Sequence, residues 1–200
     1  KLPVTIVSVG SGVGYGNLGY THHALQDYAL MRSFPNMQIL SPGNNNELIA
    51  LLNYTQKNPQ PSYLRLDKTE HKEVEFKKIP VSPGGIVKLI DGNKKKILLT
   101  TGSIQNLAKN IKLKKYKNHC LYSMPIWGMK AKNKVKNIIK KFDEIITVED
   151  HFYDGGFGSW LKECINDTNI KTKIVSKYIR PEVINEVGSR EYLLKKYGPK

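Results

Sequence analysis

The chain has 200 residues, room for one ordinary domain or two small ones, and its 40% hydrophobic content supports a packed core and excludes wholesale disorder. No apolar run approaches the roughly 20 residues of a membrane-spanning helix, and the opening Lys1-Leu2-Pro3 is not a secretory signal. The formal net charge is +15, unevenly placed: residues 1–80 hold 8 Lys/Arg and 6 Asp/Glu, and the remaining 24 and 11 fall in residues 81–200.

A basic chain raises the question of nucleic acid or an anionic membrane. The lysines are spread over several elements, as in Lys94-Lys95-Lys96, Lys112-Leu113-Lys114-Lys115 and Lys140-Lys141, with no aromatic interleaving and no zinc-finger or RNA-binding signature. They read as solvated faces, so neither a nucleic acid nor a membrane is expected as a partner. Two unclustered cysteines, Cys120 and Cys164, make neither a disulfide scaffold nor a zinc site and read as buried thiols of a reducing, cytoplasmic setting. The absence of an initial Met gives the expectation that the sequence continues from a longer polypeptide.

In chain order, Val4–Val9 reads as a strand that runs into Gly10-Ser11-Gly12-Val13-Gly14-Tyr15-Gly16-Asn17-Leu18-Gly19. A helix follows over Ala24–Arg32, with Thr21 as a candidate cap, and ends at Ser33–Pro35. Met37–Leu40 is a short buried strand. Asn44, three residues before Glu47, is a weak variant of the capping box and opens a helix with Leu48, Ile49, Leu51, Leu52 and Thr55 on one side. Ser62–Leu66 is another strand, and the proline- and glycine-rich text around Phe76–Gly85 marks a linker. Beyond it come strand Ile97–Thr100, helix Ile104–Lys112, strand His119–Met124, helix Lys134–Phe142, strand Glu144–Val148, helix Trp160–Ile165, strand Ile174–Tyr178 and helix Arg190–Tyr197. This alternation predicts an α/β fold of two α/β/α units with mainly parallel sheets, the first incomplete at its N-terminus. Ligands of such sheets bind beyond the C-terminal strand ends, so the loops after Val9, Leu40, Thr101, Met124 and Glu149 are the ones to watch.

Four constellations stand in or near those loops. The glycine-rich run lacks the third glycine of a dinucleotide fingerprint, where Tyr15 stands, and has no Gly-Lys-Ser/Thr. A flexible surface loop and a loop lying close against a ligand both remain open. His22 and His23 are adjacent, whereas two metal ligands on a helix stand three or four apart. A metal is therefore rejected, leaving a proton-transfer histidine or one that caps or packs. Glu149-Asp150-His151 followed by Asp154-Gly155-Gly156-Phe157-Gly158-Ser159-Trp160 reads first as a tight turn into a helix, and Ser159 lacks the elbow of a nucleophile. Arg65, with Asp67 and Lys68 at a strand end, holds either an anionic ligand or a nearby acid.

Taken in order, these residues resemble the transketolase family. Residues 16–23 (Gly-Asn-Leu-Gly-Tyr-Thr-His-His), then Met31-Arg32-Ser33-Phe34-Pro35-Asn36-Met37, Ser41-Pro42 and Glu47, look like the second half of its pyrimidine-binding domain. Tyr63-Leu64-Arg65-Leu66 resembles that domain's last strand. Residues 97–102 and the run from Glu149 through Ser159 resemble its C-terminal domain.

The resemblance implies two pieces: residues 1–80, the C-terminal half of a pyrimidine-binding domain, and residues 81–200, a transketolase-like C-terminal domain. It implies thiamine diphosphate with Mg²⁺ as cofactor and the transfer of a two-carbon ketol unit between sugar phosphate substrates. The diphosphate and metal would be held by an N-terminal diphosphate-binding portion or subunit, because no Gly-Asp-Gly occurs here. The chain would be inactive alone and would work as a homodimer or heterotetramer. By the same resemblance, His22 is the catalytic and substrate-binding histidine near the reacting centre, and Arg65 contacts the substrate phosphate. Asn17 and Leu18 stand where the family carries an acidic pair, and Gly10 where it carries a histidine, which removes groups that would read a pentose phosphate. A deoxyxylulose-phosphate-synthase-like enzyme and a non-catalytic dimerisation module are the alternatives.

Overall fold

The structure, a computed structural model, describes residues 2–68 and 77–200. Two sheets carry the fold. The first has strand order β1-β3-β2-β7, with β1 Thr5–Val9, β2 Gln38–Leu40, β3 Ser62–Leu66 and β7 Ile126–Trp127. Strands β1, β3 and β2 are parallel, and β7 runs antiparallel to β2 with Ile39 opposite Trp127. The second has order β4-β6-β5-β8-β9, with β4 Val87–Ile90, β5 Asn93–Thr100, β6 His119–Ser123, β8 Glu144–Val148 and β9 Lys173–Lys177. It is parallel except where β4 pairs antiparallel with β6. Two mainly parallel α/β sheets are what the alternation predicted.

The local chemistry explains most boundaries. Helix α2, Asn45–Lys57, starts where the Asn44 side chain accepts from Glu47 N at 3.0 Å. The second half of the expected capping box is displaced: Glu47 reaches back to Gly43 N at 2.7 Å. Asn44→Ala is expected to cost about 1 kcal/mol in a denaturant titration; no loss would mean that Glu47 alone holds this helix start. The predicted apolar side of α2 is narrower than its sequence suggested. Leu51 and Glu47 are buried, whereas Ile49 and Leu52 are exposed.

Helix α1 is Asp27–Arg32, three residues shorter at its start than expected, and Thr21 does not cap it. Residues Tyr20–His22 instead form a 3-10 turn, and Ala24 is held by Gly12 through a pair of backbone hydrogen bonds. Helices α3 Gln105–Lys115, α4 Lys132–Ile139, α5 Phe157–Glu163 and α6 Arg190–Tyr197 complete the fold. Helix α5 begins earlier than the apolar pattern suggested because Gly155 turns the chain at φ 72° and Glu149 receives the first amides. The expected linker begins at Phe76, outside the described residues. From Lys77 to Gly85 the chain has neither helix nor strand.

The main core joins the two sheets. Ile39, Tyr63 and Trp127 of the first sheet and Tyr28 of α1 pack with Ile97 and Leu99 of the second sheet and with Phe157 and Trp160 of α5. Trp127 lies at the centre, with ring centroids 5.0–5.2 Å from Tyr28, Phe157 and Trp160. By contrast β1 is an edge strand, and its Val4, Ile6, Val7 and Val9 neighbourhood is exposed.

Candidate functional site

The carboxyl ends of β1, β3, β5 and β8 bring the predicted loops together. The glycine run after β1 is packed against protein on several sides. Gly10 N and Ser11 N donate to Leu66 O at 3.0 and 3.1 Å. Gly12, at φ 60°, faces Asp150 so closely that an added Cβ would lie 2.9 Å from the Asp150 Cβ. Gly16 lies against the carbonyl of Gly188 and the side chain of Leu193. The glycines let this loop lie close against the chain's own Asp150, Gly188 and Leu193.

His22 sits on the exposed 3-10 turn that follows this loop, its Nδ1 3.0 Å from Thr21 Oγ1. It is free to meet a molecule arriving from solvent. His23 turns inward, edge-on to Tyr20, and burial pushes its imidazole below the usual range.

Arg65 is only 2% exposed, and its guanidinium is surrounded by acceptors. Nε donates to Asp27 Oδ2 at 2.6 Å, and Nη1 to Asp150 Oδ1 at 2.5 Å and to the Tyr28 hydroxyl at 3.2 Å. Nη2 donates to Ala24 O at 2.6 Å and, at 3.2 and 3.3 Å, to Asp150 O and Asp27 Oδ1. A guanidinium has five N–H groups, and this one has spent them inside the protein. The expected contact with a substrate phosphate does not fit that geometry. Arg65 takes the other option open to a strand-end arginine, a pair of nearby acids.

The acids extend the network. Asp150 would be raised by its burial, but Arg65 beside it holds its carboxyl below the usual range. Ser103 Oγ donates to Asp150 Oδ2 at 2.9 Å and lies 2.6 Å from Ser11 Oγ, which fastens the glycine loop to the second sheet. Tyr63 donates to Asp27 Oδ2 at 2.8 Å; burial, then the Asp27 charge, pushes its hydroxyl up to about 12. Arg190 pairs with Asp67 at 3.0 Å beside the same loop.

Glu149 faces away from this cluster. Its two oxygens accept from Phe157 N at 2.6 Å and Gly158 N at 2.8 Å, and complete burial pushes it up to about 8. Ser159 Oγ donates to Gly156 O, so it serves the turn, as its sequence context suggested. Among the described residues no three His, Cys, Asp or Glu side chains are gathered as a metal would require. The buried acids are already committed to Arg65, backbone amides and Gln105. With these acids committed, none is left to hold Mg²⁺ among the buried groups described. Asp27, Tyr28 and Ser103 were not singled out from sequence; an Asp at a helix start and a Ser after a strand are too common to signal a shared site.

The layout defines a class: two mainly parallel α/β units whose strand-end loops meet in one polar cluster. Residues 1–73 match the transketolase pyrimidine-binding domain. The chain is 28% identical, over 98% of its length, to an apulose-4-phosphate transketolase subunit of Actinobacillus succinogenes, of which it covers 63%. It is 33% identical, over 86% of its length, to 1-deoxy-D-xylulose-5-phosphate synthase of Halothermothrix orenii, of which it covers 27%. Among solved structures, a split gene transketolase described as an inactive beta4 tetramer superposes with a TM-score of 0.74 at 23% identity, covering 98% of this chain and 62% of that one. That likeness speaks for the fold. Residues 1–73 thus fall in the transketolase pyrimidine-binding family, and nearly the whole chain is similar to transketolase-family proteins. It spans less than two thirds of the length of these relatives.

Proposed function

We propose that this chain is the pyrimidine-binding and C-terminal part of a thiamine-diphosphate-dependent ketol transferase, working with a diphosphate-binding portion or subunit. The observation that carries the reading is collinear similarity to a single transketolase subunit along 98% of the chain, with the pyrimidine-binding match falling on residues 1–73. In this reading residues 1–80 and 81–200 are the two functional pieces, the assembly is a homodimer or heterotetramer in the cytoplasm, and sugar phosphates are the substrates. Mg²⁺ and the diphosphate belong to the partner portion, consistent with the commitments of the acids described above.

His22 is proposed as the proton-handling side chain. It is exposed, lies at a strand-end loop, and can exchange a proton at Nε2 while Nδ1 faces Thr21. Arg65 is proposed to act through position: its grip on Ala24 O fixes the segment that follows His22 and His23. The test is reconstitution with a diphosphate-binding partner subunit, followed by assay of two-carbon transfer from a ketose phosphate to an aldose phosphate. His22→Ala should lower turnover by about 100-fold or more without weakening assembly; unchanged turnover would remove His22 from the site. The similarity to the synthase supports a second reading. Release of CO₂ from pyruvate in the presence of glyceraldehyde phosphate would favour it, and ketol transfer without CO₂ would favour the first.

A further inference from the structure

His151 is completely buried, yet only one of its ring nitrogens is used. Nδ1 lies 2.8 Å from the carbonyl of Phe152, and a carbonyl can only accept, so Nδ1 carries the proton. Nε2 has no hydrogen-bond partner, and it lies 3.9 Å from Asp27 Oδ1. That separation is too long for a hydrogen bond and too short to seat a water between the two atoms. The ring is also stacked on Tyr28, with centroids 5.2 Å apart and planes 24° apart, so it cannot swing away without disturbing the main core.

The surroundings carry a charge imbalance that a proton would answer. Helix α1 presents Asp27 and the Tyr28 hydroxyl, β3 presents Arg65, and the histidine's own loop presents Asp150 and the Phe152 carbonyl. Glu149 is turned toward the amides of α5. One guanidinium therefore stands between two carboxylates, Asp27 and Asp150, both within hydrogen-bonding distance of it. We propose that the gap between His151 Nε2 and Asp27 is a proton-binding site that clasps the start of α1 to the loop after β8. Uptake of a proton turns Nε2 into a donor aimed at Asp27 and balances the second carboxylate. Phe152 N already donates to Leu25 O at 3.2 Å, and Arg65 to Ala24 O, so the clasp acts on the segment that carries His22 and His23.

Burial opposes this protonation and outweighs the attraction of Asp27, which leaves the imidazole below its ordinary value. The linkage sign follows. The unfolded chain takes up a proton near pH 6.5 and the folded chain only at lower pH. The contribution to stability is thus complete above 6.5 and is lost as pH falls toward the folded-state midpoint. Within the folded state, acid closes the clasp.

The experiment is a ¹⁵N–¹H long-range correlation titration of the full chain, with the Asp27 carboxyl carbon followed in parallel. The Nδ1–H tautomer is expected at neutral pH, with a His151 midpoint below 6.5 at which the Asp27 carboxyl carbon responds to the new contact. Asp27→Asn should weaken proton binding at His151 about tenfold or more. An Nε2–H tautomer, or an unshifted midpoint in a folded Asp27→Asn variant, would overturn the proposal. If that variant fails to fold, the wild-type chain decides: an Asp27 carbon that does not move at the His151 midpoint sinks it equally.

Discussion

Arg65→Ala is expected to cost about 3–5 kcal/mol of unfolding free energy, the largest loss of any single polar substitution proposed for this chain. The cost does not come from the attraction alone. Removing the guanidinium takes away the cation that both Asp27 and Asp150 pair with, and Asp150 is essentially inaccessible to water. It also strips donors from Ala24 O, from Asp150 O and from the Tyr28 hydroxyl. Urea unfolding with tryptophan fluorescence measures the loss. Arg65→Lys should recover only part of it, because one ammonium cannot serve two carboxylates and two carbonyls from one point. In acid the difference between wild type and Arg65→Ala should shrink, because the advantage that Arg65 gives the Asp150 carboxylate is lost as pH falls through its depressed folded-state value. A loss below about 1 kcal/mol at neutral pH would show that the acids rearrange toward solvent and that Arg65 does not organise this junction.

The second large effect belongs to Trp127. Trp127→Ala should cost about 3–5 kcal/mol, the range for emptying a buried aromatic site. The ring is 1% exposed, touches Tyr28, Phe157 and Trp160, and donates through Nε1 to Thr101 Oγ1 at 3.2 Å. Its backbone pairs with β2 of the first sheet, while its ring lies between Tyr28 of α1 and Phe157 and Trp160 of α5, in the core shared with Ile97 and Leu99 of the second sheet. Both sheets should therefore lose stability together. Hydrogen exchange would show this as increased exchange in β2 and β3 as well as in β5 and β8. Exchange confined to residues 126–131 would mean that the junction is local.

Both effects sit where sequence reading was weakest. Strand Glu144–Val148 was legible because burial on both faces writes a continuous run of four apolar or β-branched residues, and Ser62–Leu66 was legible from its three apolar residues. Strand β7 has two residues and no run to read. Strand β4 lies in Val87-Lys88-Leu89-Ile90, where the pairing with β6, and not the local pattern, makes a strand. In the site, His22 and Arg65 were visible as residue types at strand ends. Arg65 and Asp150 are 85 positions apart, and no local spacing announces that one holds the other. The glycine loop shows the same limit. Its glycines marked a close approach, but only the fold reveals that Asp150 and Gly188 are what they approach. Glu149 was partly legible. A Glu at a strand end followed by Gly-Gly-Phe-Gly suggested a turn into a helix, without saying that the carboxylate itself receives the first amides.

Strand β7 has a consequence for how this chain can be divided. The first sheet is built from residues 5–66 and then closed by Ile126 and Trp127, contributed from the far side of the linker. A cut at residue 80 would separate two stretches of polypeptide but not two objects. The N-terminal piece would leave the edge of β2 bare, with Ile39 and Leu40 opened to water, and the C-terminal piece would carry an indole with no sheet to join. The unit that exchanges, fuses or survives proteolysis is therefore the whole span, and linker length is free to vary only as long as β7 still reaches home.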